Sequence, residues 1–120
     1  MLSVHVDNID DIAIIACEGR IVRSEAAFKL RDAVMSQQNM RTIVLDLSEA
    51  QALEGGGLGM LTALLRWASD HEIELKLFNP TPAVQSRLEN YDLTHFDIAS
   101  FDDMMALVSR AENERHTRAA

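Results

Sequence analysis

The sequence predicts an α/β fold built on a mixed, mainly parallel sheet of four to five strands with about four helices. Segments rich in β-branched and large apolar residues alternate along the chain with segments whose apolar residues recur at helical spacing. Strands separated by helices are usually parallel, because each helix carries the chain back across the sheet. The order of the segments is β-β-α-β-α-β-α, followed by a short strand and a last helix.

Two strands are predicted in the first part of the chain. Val4 and Val6 alternate with polar neighbours, which is typical of an edge strand. The segment IAIIAC, residues 12–17, is apolar throughout and predicts a central strand, covered on both faces or covered on one face and tightly paired. We expect Gly19 to end this strand.

A helix, a strand and a second helix come next. Ser24 can cap a helix from about residue 25 to 38, and TIVLDLS, residues 42–48, has the composition of a strand. Residues 58–71 have strong helical periodicity. Just before them stands LEGGGLG, residues 53–59, whose glycines we expect to form a sharp turn, because glycine tolerates a positive φ.

The last third of the chain predicts two strands and two helices. The segment IELKLFN, residues 73–79, alternates with period two, as a strand does. Thr81 can cap a helix that has Pro82 in its first position, where the missing N–H is not needed. A short strand at residues 96–98 and a helix capped by Ser100 complete the order.

Length, charge and cysteine content limit the possible functions. The chain has 120 residues, and we expect one domain over residues 1–112 and a polar tail over 113–120. Its net charge of −8 disfavours nucleic acid and anionic membranes as partners, and no apolar segment is long enough for membrane insertion. Cys17 is the only cysteine and no signal peptide is visible, so we expect a cytoplasmic location.

The sequence predicts no enzyme, no cofactor and no metal site. The glycine run lacks the lysine and hydroxyl of a P-loop, the spacing of a dinucleotide site and the serine of a nucleophile elbow. The histidines lack metal-site spacing. A hydrolase or transferase using Glu54 or Cys17 is an alternative, but Glu54 has no evident partner acid, and apolar neighbours make a thiol inert.

The order of motifs around the glycines resembles the STAS domain family, which includes bacterial anti-sigma-factor antagonists. A strand ending in Asp-Leu-Ser at residue 48 leads through a short loop to EGGGLG, residues 54–59, where the family has the signature Asp-Ser-x-Gly-Leu-Gly. LFNP at residues 77–80 and FDIASFDDMMALV at 96–108 also resemble family segments, as does CEGRIV at 17–22. The resemblance covers nearly the whole chain and implies a STAS-like fold.

The resemblance also implies that the usual phosphorylation switch is missing. In phosphorylated family members the serine after the signature aspartate accepts phosphate, and this switches binding to an anti-sigma factor with kinase activity. Here Gly55 stands at that position, and glycine cannot be phosphorylated. Glu54 replaces the aspartate; it could imitate a phosphoserine, although it carries one charge at the aspartate's position. The implied function is a non-catalytic protein-binding regulatory module whose partner is an anti-sigma factor or a similar serine-kinase-like protein.

The helix after the glycines carries two apolar stripes, about 110° apart. One should pack on the sheet; its members are Leu58, Leu61, Leu65 and Ala68. The other either packs against a neighbouring helix or binds a partner beside the glycines, and the family uses this helix in partner binding. The predicted partner-binding residues are therefore Glu54, Gly55, Gly56, Gly57, Met60, Leu64 and Trp67.

Several alternatives stay open at this stage. The glycines could serve the turn alone, and the chain could be an accessory module of a transport system or a scaffold for a signalling complex. Modification at Ser24, Ser48 or Thr62 is also compatible with the sequence. The oligomeric state is not determined, and a homodimer is one alternative.

Overall fold

The computed structural model describes residues 2–21, 25–54, 56–90 and 97–99, and the single positions 102, 105, 106 and 109. Eight elements follow one another in the predicted order. They are β1 (Leu2–Ile9), β2 (Ile12–Ile21), α1 (Glu25–Met35), β3 (Thr42–Leu53), α2 (Gly56–Asp70), β4 (Glu74–Phe78), α3 (Pro82–Asn90) and β5 (Asp97–Ala99).

The strands form one five-stranded sheet in the order β1-β2-β3-β4-β5. β1 is antiparallel to β2, and each of the remaining neighbours is parallel. The predicted mixed, mainly parallel sheet is therefore confirmed. β1 lies at an edge and β2 lies between two strands, as the alternating pattern of the first and the apolar pattern of the second predict.

The sheet separates two apolar clusters. Ile43 and Leu45 of β3 belong to the main core, whereas Val44 between them belongs to a smaller cluster with Ile12, because successive strand residues point to opposite faces. α1, α2 and α3 each contribute to the main core. Their buried side chains there include Leu30 and Val34 of α1, Leu58, Leu61, Leu64 and Ala68 of α2, and Val84 and Leu88 of α3.

Two predicted strand ends are wrong. Gly19 does not end β2, which continues to Ile21; Gly19 has a φ of 116° and stands at a shift in the pairing of β2 with β3. Glycine adopts such a φ readily, so the strand bulges here and continues. β3 passes its predicted end at Ser48 and reaches Leu53, because four of the five residues after Ser48 pair with the end of β2, namely Glu49, Ala50, Ala52 and Leu53. The loop expected before the glycines is therefore part of the sheet.

The helices occupy the predicted regions with shifted ends. α1 stops at Met35, and α2 begins at Gly56, two residues earlier than predicted. The fourth predicted helix falls largely outside the described residues, although positions 102, 105, 106 and 109 are helical. Ser24, Ser100 and the tail over 113–120 also lie outside them. Among the described helices, none is long and apolar enough to cross a membrane.

The start of α3 is fixed by Thr81, as predicted. Its Oγ1 accepts a hydrogen bond from the N–H of Val84 at 3.4 Å and donates one to the carbonyl oxygen of Ala50 in β3 at 2.8 Å. Pro82 takes the first helical position. One hydroxyl thus caps the helix and also ties it to the sheet.

We expect Thr81→Ala to lower the free energy of unfolding by about 1–2 kcal/mol, because both hydrogen bonds of the hydroxyl are lost. Urea unfolding measures this difference. Thr81→Ser is the matched control, since it keeps the hydroxyl and should retain most of the stability. Equal unfolding midpoints for the alanine and serine variants would show that the hydroxyl contributes nothing.

Candidate functional site

The candidate site lies where β2 and β3 end and α2 begins. Ile21 and Leu53, the last residues of these two strands, are paired across the sheet. Binding sites in α/β folds usually lie at the carboxyl ends of parallel strands. Glu54 follows β3, and Gly56 opens α2; Gly55 lies outside the described residues.

The carbonyl oxygen of Ile21 organises this junction. It accepts a hydrogen bond from the N–H of Glu54 at 3.2 Å, and the carbonyl oxygen of Glu54 accepts one from the N–H of Gly57 at 2.6 Å. These two bonds connect the end of β2 to the first turn of α2. They also satisfy backbone groups that a strand end and a helix start would otherwise leave unpaired.

Gly57 is required because α2 approaches β2 so closely. A Cβ atom on Gly57 would overlap the carbonyl oxygen of Ile21; it would also lie 2.8 Å from the carbonyl carbon and 3.1 Å from Cδ1 of Leu53. Gly57 itself is buried, so no side chain fits without moving backbone. Its φ lies outside the positive range, and the predicted reason for this glycine, a sharp turn, is therefore wrong.

Gly59 has a different environment. It is exposed, and a Cβ atom there would meet no other atom within 4 Å. Its φ is likewise outside the positive range. Neither packing nor backbone conformation requires glycine at this position, although glycine within a helix costs about 0.5–1 kcal/mol relative to alanine. The consequence is a bare stretch of helix surface.

Gly59 lies near the centre of the solvent-facing side of α2. At 100° per residue, Met60 and Trp67 lie within about 20° of each other at one margin of that side. Both side chains are half-buried and pack against the main core. We call Gly56, Gly59, Met60 and Trp67 the α2 surface.

Leu64 does not belong to the α2 surface, which corrects the sequence-based assignment. Its side chain is 0% exposed and lies in the main core. The docking of Gly57 against β2 turns the helix so that Leu61, Leu64 and Ala68, which follow Gly57 at helical spacing, face the sheet. Leu65, which was expected to face the sheet, is only half-buried.

Trp67 is held by a second aromatic ring near the end of α2. Its ring centroid lies 4.7 Å from that of His71, with an interplanar angle of 31°. Nδ1 of His71 is 2.8 Å from the carbonyl oxygen of Trp67, which also accepts a hydrogen bond from the backbone N–H of His71 at 3.1 Å. His71 therefore restricts the position of the indole on the α2 surface.

Glu54 is exposed and forms an ion pair across the junction. Nη2 of Arg20 lies 3.5 Å from Oε1 of Glu54, and about half of each side chain is exposed. Exposed ion pairs contribute at most about 1 kcal/mol, but this one directs the carboxylate beside the start of α2. Arg20 was not identified from the sequence. Its position beside Glu54 depends on the continued pairing of β2 with β3, which sets Arg20 opposite Ala52.

Cys17 is buried in the main core. Burial, together with the nearby charge of Asp46, raises the pKa of its thiol from 9.0 to about 12, so the reactive thiolate is scarce at neutral pH.

A surface depression of about 360 Å³ beside β3, whose lining includes Ser48 and Thr81, contains neither Cys17 nor Glu54. Within the described part of the chain, no three His, Cys, Asp or Glu side chains group in a way that could hold a metal ion.

We expect substitution by alanine to have opposite effects on stability at Gly57 and at Gly59. Gly57→Ala should lower the free energy of unfolding by about 1–3 kcal/mol, because its methyl group overlaps the Ile21 carbonyl. Gly59→Ala should raise it by about 0.5–1 kcal/mol, because the site is open and alanine favours the helix. Urea unfolding of both variants tests this, and similar effects of the two substitutions would contradict the described packing.

Cys17 provides a pH-dependent prediction. The folded state favours the protonated thiol, so its contribution to stability is complete below the unfolded pKa of 9.0 and is lost as pH rises towards the folded pKa of about 12. We expect stability to fall more steeply in this range for the wild type than for Cys17→Ala. At about pH 8 a small thiol reagent should label the unfolded chain only; rapid labelling of the native protein would contradict the burial of this thiol.

Comparison with known proteins identifies the family. The family model of the STAS domain matches residues 3–109. An anti-sigma factor antagonist from Mycobacterium paratuberculosis is 21% identical, with a TM-score of 0.77 over 91% of this chain and 95% of that chain. Unphosphorylated SpoIIAA is 15% identical, with a TM-score of 0.74 over 88% of this chain and 93% of that chain.

Phosphorylated SpoIIAA from Bacillus is also 15% identical, with a TM-score of 0.69 over 88% of this chain and 96% of that chain. No curated protein sequence matches. At these identities the solved structures support the fold alone, whereas the family model extends over nearly the whole chain. The chain belongs to the STAS domain family.

Proposed function

We propose that this chain is a non-catalytic protein-binding module of a regulatory complex, similar to an anti-sigma factor antagonist, and that phosphorylation at the start of α2 does not switch its binding. Membership of the STAS domain family and structural similarity to anti-sigma factor antagonists support the first part. Gly55, which has no hydroxyl, supports the second. The proposed complex is cytoplasmic, in keeping with the single, unpaired cysteine.

The observation that carries the proposal is the bare start of α2. Gly59 is exposed without any packing reason for glycine, and Gly56 precedes it by one helical turn. Without side chains at these positions, a partner can approach the helix backbone closely. Met60 and Trp67 lie at the margin of this bare region and offer apolar contact area, and methionine and tryptophan are both enriched at interfaces.

The charges around the junction favour a constant state over a switched one. A phosphoserine at a helix N-terminus is stabilised by free N–H groups and adds close to two negative charges. Glu54 supplies a single carboxylate, and Arg20 lies beside it. The charge at the junction is therefore small and does not change. Such a charge favours permanent binding of one partner, and it is too small to imitate the phosphorylated state well.

The partner of this proposal is a protein with a docking site for the α2 surface, such as an anti-sigma factor of the serine-kinase-like type. SpoIIAA, which has the same fold, has been solved in unphosphorylated and phosphorylated forms. In our proposal the present chain corresponds to the unphosphorylated, binding-competent form. Its net charge of −8 favours a partner with a basic surface.

The test is capture of partners from the native cell with a bulkier side chain on the α2 surface. Gly59→Gln places that side chain in open space, so the fold should be unaffected while a closely docked partner is excluded. We expect recovery of the main partner to fall about tenfold or more, since steric exclusion at the centre of an interface costs over 1.4 kcal/mol. Quantitative mass spectrometry of the captured proteins measures this loss.

Ser69→Gln is the matched control. Ser69 is exposed on the same helix, about 15 Å further along its axis and at the margin opposite Met60, so its substitution should leave recovery unchanged. Met60→Asp should reduce recovery as Gly59→Gln does. If Gly59→Gln, Met60→Asp and the wild type recover the same proteins in equal amounts, the α2 surface is not the binding site. Recovery of permease or transport ATPase subunits instead would favour the transport alternative.

A further inference from the structure

The middle of the edge strand β1 is open to solvent. Residues 5–8 are all exposed, and Val6 is among the exposed large apolar side chains, at 39%. Among the strands that the structure describes, β1 pairs with β2 alone. A long edge strand presents a row of backbone N–H and C=O groups to which another strand can add.

The sequence of β1 is complementary to itself when two copies run antiparallel. Opposite residues share a face of the sheet, so a two-fold axis normal to the sheet must set one residue opposite its own copy. With the axis at Val6, the two Val6 side chains lie opposite each other. His5 of each copy then faces Asp7 of the other, which gives two pairs of imidazole and carboxylate.

Neighbouring registers lack this complementarity. An axis at His5 sets two imidazole groups opposite each other and leaves Asp7 opposite Ser3. An axis at Asp7 sets two carboxylates opposite each other, which is destabilising in a cross-strand pair. The register about Val6 is the one of these three that sets Asp7 opposite an imidazole and that brings neither two imidazole groups nor two carboxylates together.

We propose that β1 is a homodimerisation edge, at which two copies of this chain pair antiparallel about Val6. The two five-stranded sheets would then form one continuous sheet. This inference does not rest on the proposed function. Val6 pairs with Ile15 of β2, about 20 Å along that strand from Ile21, so the dimer leaves both α2 surfaces accessible.

Cross-linking through an introduced thiol tests the register. Val6→Cys places thiols opposite each other at the axis, within disulfide range, and Cys17 is buried and does not compete. Mild oxidation should convert most of this variant to a covalent dimer. Ser3→Cys is the control, because its copies would lie about 20 Å apart along the strands and should remain largely unlinked.

Charge exchange tests the complementarity. His5→Asp sets carboxylates opposite each other and should raise the dimer dissociation constant about tenfold, because both symmetric pairs become repulsive. The double variant His5→Asp/Asp7→His restores the pairing with its charges exchanged and should return the constant to within about threefold of the wild type. Sedimentation equilibrium measures the constant, and circular dichroism checks that each variant is folded.

Three results would overturn the proposal. The first is a wild-type chain that stays monomeric at every concentration measured. The second is cross-linking that is as efficient at Ser3→Cys as at Val6→Cys. The third is a dimer that Phe28→Ser abolishes and that His5→Asp leaves intact. Phe28 is exposed on α1, so this result would mean that dimerisation proceeds through that helix.

Discussion

The close contact between Gly57 and the carbonyl group of Ile21 is the constraint on which the candidate site depends. It joins the first turn of α2 to the end of β2, and a Cβ atom at position 57 would overlap the carbonyl oxygen. Because the helix is docked at this point, its rotation is fixed: Leu61 and Leu64 face the sheet, and Gly59 faces solvent. The partner surface that we propose is therefore a consequence of how α2 packs on the sheet.

The glycine run of this STAS domain combines two physically different roles. Gly57 serves packing, since only a residue without a side chain lets α2 meet the strand end. Gly59 lowers helix stability although a Cβ atom there would meet no other atom within 4 Å, which is expected of a residue kept for an external contact. At Gly55 the proposed function needs only the absence of a hydroxyl, and the sequence itself provides this. A module of this kind would act by contact, with Glu54 and Arg20 providing a fixed electrostatic environment.

Much of the fold could be predicted because its determinants are local. The large apolar runs of β2 and β3, and the Thr81 cap of α3, are recognisable within a few residues. The continuation of β3 to Leu53 could not be predicted, since small side chains such as Ala50 give little strand signal and the pairing partner is the distant end of β2. The burial of Leu64 and the role of Arg20 depend likewise on contacts between elements. Such contacts cannot be inferred from the periodicity of a single helix or strand.

The intact mass of the native protein tests the proposed contact-only mechanism most directly. The chain would be isolated from its own cell as two fractions, one bound to its partner and one free, and each fraction would be weighed by mass spectrometry. Our account predicts the same unmodified mass in both fractions, because Gly55 cannot carry a phosphoryl group. A phosphoryl group confined to one fraction, on any residue, together with loss of partner binding when it is present, would contradict the account.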